Sequence, residues 1–322
     1  MAPRTHSMFA TTSNSAHSAR KRMLTNIYSK SYLNGSPHLS VISESLIYGR
    51  LLPKLEQLAT SNTTCNIHDL NQAFTMDFVS SYLFGLENGT NFIEDCSLRE
   101  SVLRAYFSRK PFDVFFQEIP KLTGWATFFK VPLIPKWRDD ANKCLDEWGA
   151  TLCERAEQHL QASDVRQEPL VYKRLRDAMT KGNEPLMSIP HAEALKREVS
   201  CELLDHLTAG FETSAVALTY AIWEISKDLS LQQRLRDELS SLSPKISYLS
   251  CETDTSLPSS KAIDALPLLD AIVMETLQMK LMLAAVYTQY ATTIVDDEGI
   301  EAIDAYTVKP QSNKLMISFN RV

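Results

Sequence analysis

The sequence predicts a mainly α fold closed by a small C-terminal β element. Three observations carry that expectation. Glycine is scarce, with 9 in 322 residues. Apolar residues recur at three- and four-residue spacing along most of the chain. Alternating, β-branched runs occur only near the end, in "ATTIVDD" and "KLMISFNRV", with a connection containing Gly, Pro and Asn between them.

Helical periodicity predicts helices over residues 16–32, 38–60, 68–85, 97–109, 138–162, 191–228, 230–241 and 268–291. The aromatic stretch "YFSRKPFDVFFQEIPKLTGWATFF" is cut by Pro111 and Pro120, which predicts a helix, a break and a short helix. Two polar stretches read as loops. One is "ASDVRQEPLVYKRLRDAMTKGNEPLMSIP", with room for a short helix, and the other is "SSLSPKISYLSCETDTSLPSSKA". No Gly or Pro interrupts Leu268 to Ala291, so that segment reads as one continuous helix of roughly 36 Å. No internal repeat is present.

A hydrophobic fraction of 44% supports a sizeable core and argues against disorder. The net charge of −6, a pI of about 5.7 and the absence of a long basic run leave no nucleic-acid footprint. The six cysteines, Cys65, Cys96, Cys144, Cys153, Cys201 and Cys251, form no C-x-x-C pair and read as reduced thiols, several of them core residues. Three N-x-S/T sequons, at Asn34, Asn62 and Asn88, have no secretory context. The polar start "MAPRTHSMFATTSNSAHSARKR" lacks a signal-peptide core and an anchor. The expectation is a cytoplasmic protein, or one peripheral to the endoplasmic reticulum membrane, with no transmembrane anchor. The most apolar long window, Leu207 to Ile225, has the length of a membrane span. Its central glutamate and its hydroxyl residues mark it instead as a helix buried within protein.

That window contains "AGFETSA", Ala209 to Ala215. Burying a carboxylate is costly unless it is paired or used. Asp205, Thr208 and Glu212 share one helical stripe, and Ala209, Thr213 and Ala217 form an adjacent stripe of small side chains that admits something flat and large. Gly210 weakens the helix locally. Thr213 can bond back to an i−4 carbonyl or turn outward to a ligand. On these residues alone, the alternative is a core helix whose Glu and Thr are satisfied by its neighbours.

"AGFETSA" resembles the (A/G)-G-x-(D/E)-T-(T/S) signature of the long central helix of cytochrome P-450 haem-thiolate monooxygenases. Other stretches resemble further family helices in family order. They are "HSARKRMLTNIYSKSYL", with His17 and Lys21 in the (W/H)-x-x-x-(R/K) places, then "FTMDFVSSYLFG", "LQQRLRDEL" and "LPLLDAIVMETL". The style is that of the fungal microsomal branch. The resemblance implies a haem cofactor, oxygen insertion into an apolar small molecule of secondary metabolism, and a cytochrome reductase as electron donor. It implies that Glu212 and Thr213 deliver protons, that Ala209 and Gly210 allow close approach on the distal haem side, and that Lys21 meets a propionate.

The sequence departs from the family after "METL". Where E-x-x-R, a Pro-rich stretch and the cysteine loop are expected, it reads Glu275, Thr276, Leu277, Gln278 and then "MKLMLAAVYTQYATTIVDDEGI", which resembles the helix beyond that loop. The chain also begins just before the propionate helix. The expectation is therefore a single incomplete domain over residues 1–322, helical to 291 and β from 292, with no axial cysteine for a metal, no thiolate-ligated haem and no activity as written. The alternative is a non-catalytic helical remnant that binds a small molecule or a partner. Glu275, without its Arg, is expected to be a surface or capping charge. The surface of Leu281, Met282, Ala284, Ala285, Val286 and Tyr287 is expected to be exposed or collapsed onto other helices. Trp125, Phe128 and Phe129 fall where the family places a substrate lid and membrane contact, or else in a core.

Overall fold

The computed structural model describes residues 7–112, 115, 118–131, 133–181, 189–248, 256–273, 277–303 and 308–322. Helices dominate. The first group is α1 (Asn14–Leu24), α2 (Lys30–Asn34), α3 (Pro37–Leu46), a π-helical turn (Ile47–Leu51) and α4 (Leu52–Thr60). Next come α5 (Ile67–Phe84), α6 (Cys96–Arg109), α7 (Pro120–Phe128), α8 (Trp137–Gln158) and α9 (Leu170–Thr180). The long α10 (Ile189–Lys227) precedes α11 (Leu229–Leu239), α12 (Ser260–Asp264), α13 (Pro267–Ile272) and α14 (Leu277–Gln289).

The starts follow from capping chemistry. Ser36, ahead of Pro37, accepts from Leu39 N–H; Asn66 accepts from His68 N–H; Asp95 accepts from Leu98 N–H; Asp228 accepts from Ser230 and Leu231 N–H. Each satisfies a donor that the helix itself leaves unpaired.

The core is the crossing of α5 on α10. Every residue of α5 except Asp69 and Val79 is buried, as in a helix surrounded by protein. A Cβ placed on Gly210 of α10 would lie 3.0 Å from a Val79 methyl, so glycine there lets the two backbones close up. Thr75 Oγ1 donates to the Phe211 carbonyl at 3.0 Å across the same crossing. Further along, Thr219 Oγ1 accepts from His68 Nδ1 and from Asn71 Nδ2, both at 3.0 Å, and donates to the Ala215 carbonyl at 2.7 Å. Asp77 of α5, fully buried, ties in the following loop. Its carboxylate accepts from the Phe92 and Ile93 amides, from Thr90 Oγ1, and from Arg50 Nη1 at 3.2 Å out of the π-helical turn.

The β element is larger than its C-terminal strands alone. β2 (Tyr290–Asp296) and β5 (Met316–Arg321) pair antiparallel with Thr292 opposite Phe319 and a bulge between Ile294 and Asp296. The short β1 (Cys65–Asn66) from the first quarter of the chain adds to the other edge of β5, giving the order β1-β5-β2. A two-residue pair, β3 (Ala302–Ile303) with β4 (Lys309–Pro310), stands apart.

Two expectations need correction. Residues 16–32 are not one helix, because α1 ends at Leu24 and α2 restarts at Lys30 behind the Ser29 cap. Leu268 to Ala291 is not one helix either. α13 ends at Ile272, and Val273 beyond it is extended at φ −137° and ψ 99°; α14 begins at Leu277; and Tyr290 already belongs to β2. The physical reason is Lys280. It is 2% exposed and donates to Asp264 at 2.9 Å and Asp270 at 2.5 Å. In a continuous helix Lys280 and Asp270 would sit about 15 Å apart along the axis, beyond reach of each other. Folding back brings the ammonium to both carboxylates. The surface from Leu281 to Tyr287 is fully buried, so it has collapsed onto other helices. Glu275 lies outside the described residues.

Candidate functional site

α10 presents different chemistry on different faces. Ala209, Thr213 and Ala217 are exposed on a helix whose Leu207, Phe211, Ala215 and Leu218 are fully buried. The stripe of small residues is therefore an open face in the middle of the molecule. Thr213 Oγ1 donates to the Ala209 carbonyl at 2.9 Å, the back-bonded arrangement, while remaining exposed. Gly210 does not share this face, because it points at Val79 of α5.

Glu212 turns the other way and is 6% exposed. Its carboxylate forms an ion pair with Lys110, in the turn that follows α6, and accepts from Tyr106 Oη at 3.0 Å. Lys110 Nζ also lies 4.8 Å from the Tyr106 ring centroid, a cation–π contact. Tyr106 meets Phe211 edge-on at 5.5 Å. Lys309 of β4 completes the group. Burial first, then the like charge of Lys110, holds its ammonium below the usual lysine range, while Glu212 opposes both. The acid and the alcohol of "AGFETSA" are neighbours in sequence but occupy separate environments, one ionic and buried, the other open.

Asp205 and Thr208 lie on the stripe that leads to Glu212 and face a cavity between α5, α6, α8 and α10. Burial raises the Asp205 carboxyl; a hydrogen bond from Ser7 acts against it.

Lys21 is exposed on α1. The residue that reaches α10 from this helix is Arg20, 3.2 Å from Glu202 and 3.6 Å from Glu198. Glu202, 2% exposed, also accepts from Met8 N–H at 2.8 Å and lies 3.5 Å from His206 Nε2. Burial pushes the Glu202 carboxyl up, but the His206 and Met8 hydrogen bonds and Arg20 outweigh it and hold it below the ordinary range. His17 is half-buried on α1.

Sequence reasoning missed Lys110, Tyr106, Arg20 and Glu202. The one available signal was "YFSRKP", where a helix ends in basic residues just before a proline. It also missed Gln278, whose Nε2 donates to Ser214 Oγ at 2.9 Å and so ties α14 to the residue after Thr213.

The thiols can be tested against the ligand that a haem-thiolate site needs, an accessible thiolate. Burial pushes Cys65, in β1, and Cys153, in α8, up to about 11. Cys96 and Cys144 are exposed near the start of α6 and on α8, and Cys201 lines the cavity rather than the open stripe. Cys251 lies outside the described residues. Among the described residues no group of three or more His, Cys, Asp or Glu side chains is placed to hold a metal ion.

The cytochrome P450 family profile matches residues 1–293. Among curated proteins, the chain is 25% identical over 257 residues to cytochrome P450 monooxygenase avaI of Aspergillus versicolor, covering 80% of this chain and 54% of that protein. It is 24% identical to cytochrome P450 6B1 of Papilio polyxenes, covering 68% of this chain and 43% of that protein. The chain thus spans about half the length of the curated relatives it matches. Among solved structures, a cytochrome P450, CYP102L1, superposes with a TM-score of 0.69 at 13% identity, covering 98% of this chain and 81% of that one. The profile match over most of its length, the relatives and the shared fold establish that this chain belongs to the cytochrome P450 family.

Proposed function

We propose that this chain carries the distal half of a monooxygenase site, the kind that inserts oxygen into an apolar small molecule, and that it holds no thiolate-ligated haem by itself. The observation that carries this reading is the open stripe of Ala209, Thr213 and Ala217 across the centre of α10, with every described cysteine elsewhere. The stripe suits the face of a flat, apolar macrocycle. The donor set does not suit its axial bond, because two thiols are held protonated by burial, two sit at the exterior and one faces the cavity. A bound haem would supply oxygen activation.

The chain's own residues then have defined parts. Thr213 offers a hydroxyl at the stripe, and Ala209 keeps the helix surface flat beside it. Glu212 is a buried carboxylate one residue away, held by Lys110 and Tyr106, and it exchanges a proton only when that pair opens. Gly210 serves the same face indirectly, by seating α10 against α5. Lys21, exposed on α1, is free to swing toward an anionic group. An electron-donating reductase and an apolar substrate are the partners this chemistry requires.

A peripheral membrane contact belongs to the same proposal. Leu122, Trp125, Phe128 and Phe129 are 57%, 71%, 80% and 65% exposed, and they share one side of α7 and its end. Exposed aromatics in such a cluster suit a lipid interface. No described helix is long and apolar enough to cross a membrane.

The test is turnover. Purified chain supplied with haem, a reductase and NADPH should show no oxygen uptake above the reductase control. Substrate-dependent oxygen uptake that is lost in Thr213→Ala would overturn the proposal.

A further inference from the structure

Lys309 of β4 differs from the other lysines withdrawn from solvent. Lys54 has Gln57 as its acceptor, Lys110 has Glu212, Lys173 has Glu168 and Lys196 has Glu154. Lys280 has Asp264 and Asp270, and Lys314 has Asp296. Lys309 is half-buried, and among the described residues no side-chain oxygen is placed to hold its ammonium. Its described contact is the Phe107 ring, 5.6 Å from Nζ to the centroid. An aromatic face compensates a cation far less than a carboxylate does.

The charged and titratable neighbours come from three elements. Lys110, in the turn after α6, lies 5.4 Å from the same Phe107 centroid, so two lysines crowd one ring. Glu212 of α10 is the acid of the group, but Lys110 and Tyr106 hold its carboxylate. His68 of α5 is kept neutral, in part by the charge of Lys309 itself. Burial and the second ammonium both favour loss of the Lys309 proton, and the distant Glu212 only partly opposes them. A half-buried amine beside another cation is the arrangement that makes a lysine nucleophilic near neutral pH. Space is at hand as well. Phe107 also walls a cavity of about 250 Å³ with His68, Gln72 and Leu103. A cavity of roughly 150 Å³ is enough to hold benzene.

We propose that Lys309 is a covalent capture site for neutral aromatic aldehydes, which it binds as imines with the aryl ring against Phe107. The unprotonated Nζ attacks the aldehyde carbon and a C–N bond forms. The two amine protons end on the aldehyde oxygen, which leaves as water as the C=N bond forms. Nothing is oxidised or reduced. A neutral aldehyde suits the site, because Lys110 and Glu212 already balance each other. The site needs no haem and no axial ligand, so it stands whether or not the chain supports oxygen chemistry.

The probe is benzaldehyde with sodium cyanoborohydride at pH 7, which reduces each imine to a stable benzyl-lysine that peptide mass spectrometry locates. Lys21, Lys121 and Lys245 are exposed lysines within the same chain and serve as references. Each unit by which a pKa falls raises the free-amine fraction at pH 7 about tenfold. Lys309 should therefore be labelled roughly tenfold faster than the references, and its advantage should shrink as the pH rises towards 10. The ratio of Lys309 to Lys21 labelling should be higher with benzaldehyde than with acetaldehyde, and Phe107→Ala should remove that difference. Lys110→Met takes away the like charge and frees Glu212 to pair with Lys309, so it should bring Lys309 down to the rate of the references. Should these variants fail to fold, the two ratios in the unmodified chain decide the matter. Labelling of Lys309 no faster than Lys21 at pH 7, or an equal ratio for the two aldehydes, would overturn the proposal.

Discussion

Lys110 and Glu212 form an ion pair that joins the end of α6 to the middle of α10, and the two partners are unequally buried. The Glu212 side chain is 7% exposed and the Lys110 side chain 26%. Removing one partner of a buried pair costs most when the charge left behind cannot reach water.

That asymmetry makes an ordered prediction. Lys110→Ala leaves a buried carboxylate with Tyr106 as its close donor and should destabilise by about 2–4 kcal/mol. Glu212→Gln leaves an ammonium that can turn to solvent and should cost about 1 kcal/mol. Urea unfolding of the two variants measures the order. Equal costs, or a larger cost for Glu212→Gln, would show that the pair is not held as described.

His68 predicts acid sensitivity. Burial first, then the positive charge of Lys309, lowers its pKa from 6.5 to about 4. Gln72 Nε2 donates to its Nε2 at 3.0 Å, which leaves the proton on Nδ1 for Thr219. The folded chain keeps this ring neutral while the unfolded chain protonates it near pH 6.5. The contribution is thus fully present above that pH and is lost as pH falls from about 6.5 towards 4. Between pH 7 and pH 5 the loss should reach about 2 kcal/mol. His68→Asn should flatten the stability profile in that window. An unchanged slope would mean that His68 is not held neutral.

Asp77 predicts a large local effect. Its carboxylate satisfies the Phe92 and Ile93 amides, Thr90 and Arg50 together, all in the interior. Asp77→Ala should cost about 3–5 kcal/mol, because those donors lose their acceptor at once. Chemical denaturation that places the cost under 1 kcal/mol would contradict the hub role.

These cases show what was legible. The central helix, its small stripe and the Asp205–Thr208–Glu212 stripe were readable because helical spacing is a local property. The β2–β5 pair was readable from β-branched alternation. Lys110 on Glu212, Arg50 on Asp77 and Gln278 on Ser214 were not, because each joins positions far apart in sequence and none leaves a periodic trace. The turn at Val273 was hidden for a related reason. No Gly or Pro marks it, and what holds it is the long-range pairing of Lys280 with Asp264 and Asp270. β1 was missed because two residues at Cys65 are too few to make a pattern.

The exposed aromatics of α7 predict a surface interaction. Replacing Trp125, Phe128 and Phe129 with Ser should lower binding to phosphatidylcholine vesicles at least fivefold in a sedimentation assay and leave the circular dichroism spectrum unchanged. Undiminished vesicle binding by the triple variant would remove α7 as the contact.

The central claim is that this P450 chain keeps the distal face of its site without an axial thiolate. The most direct measurement is the absorption spectrum of the purified chain mixed with haem, reduced and exposed to carbon monoxide. The account predicts no thiolate-type red-shifted Soret band. A clear thiolate-type band at one haem per chain would mean that one of the six cysteines ligates the iron, and the account would be wrong.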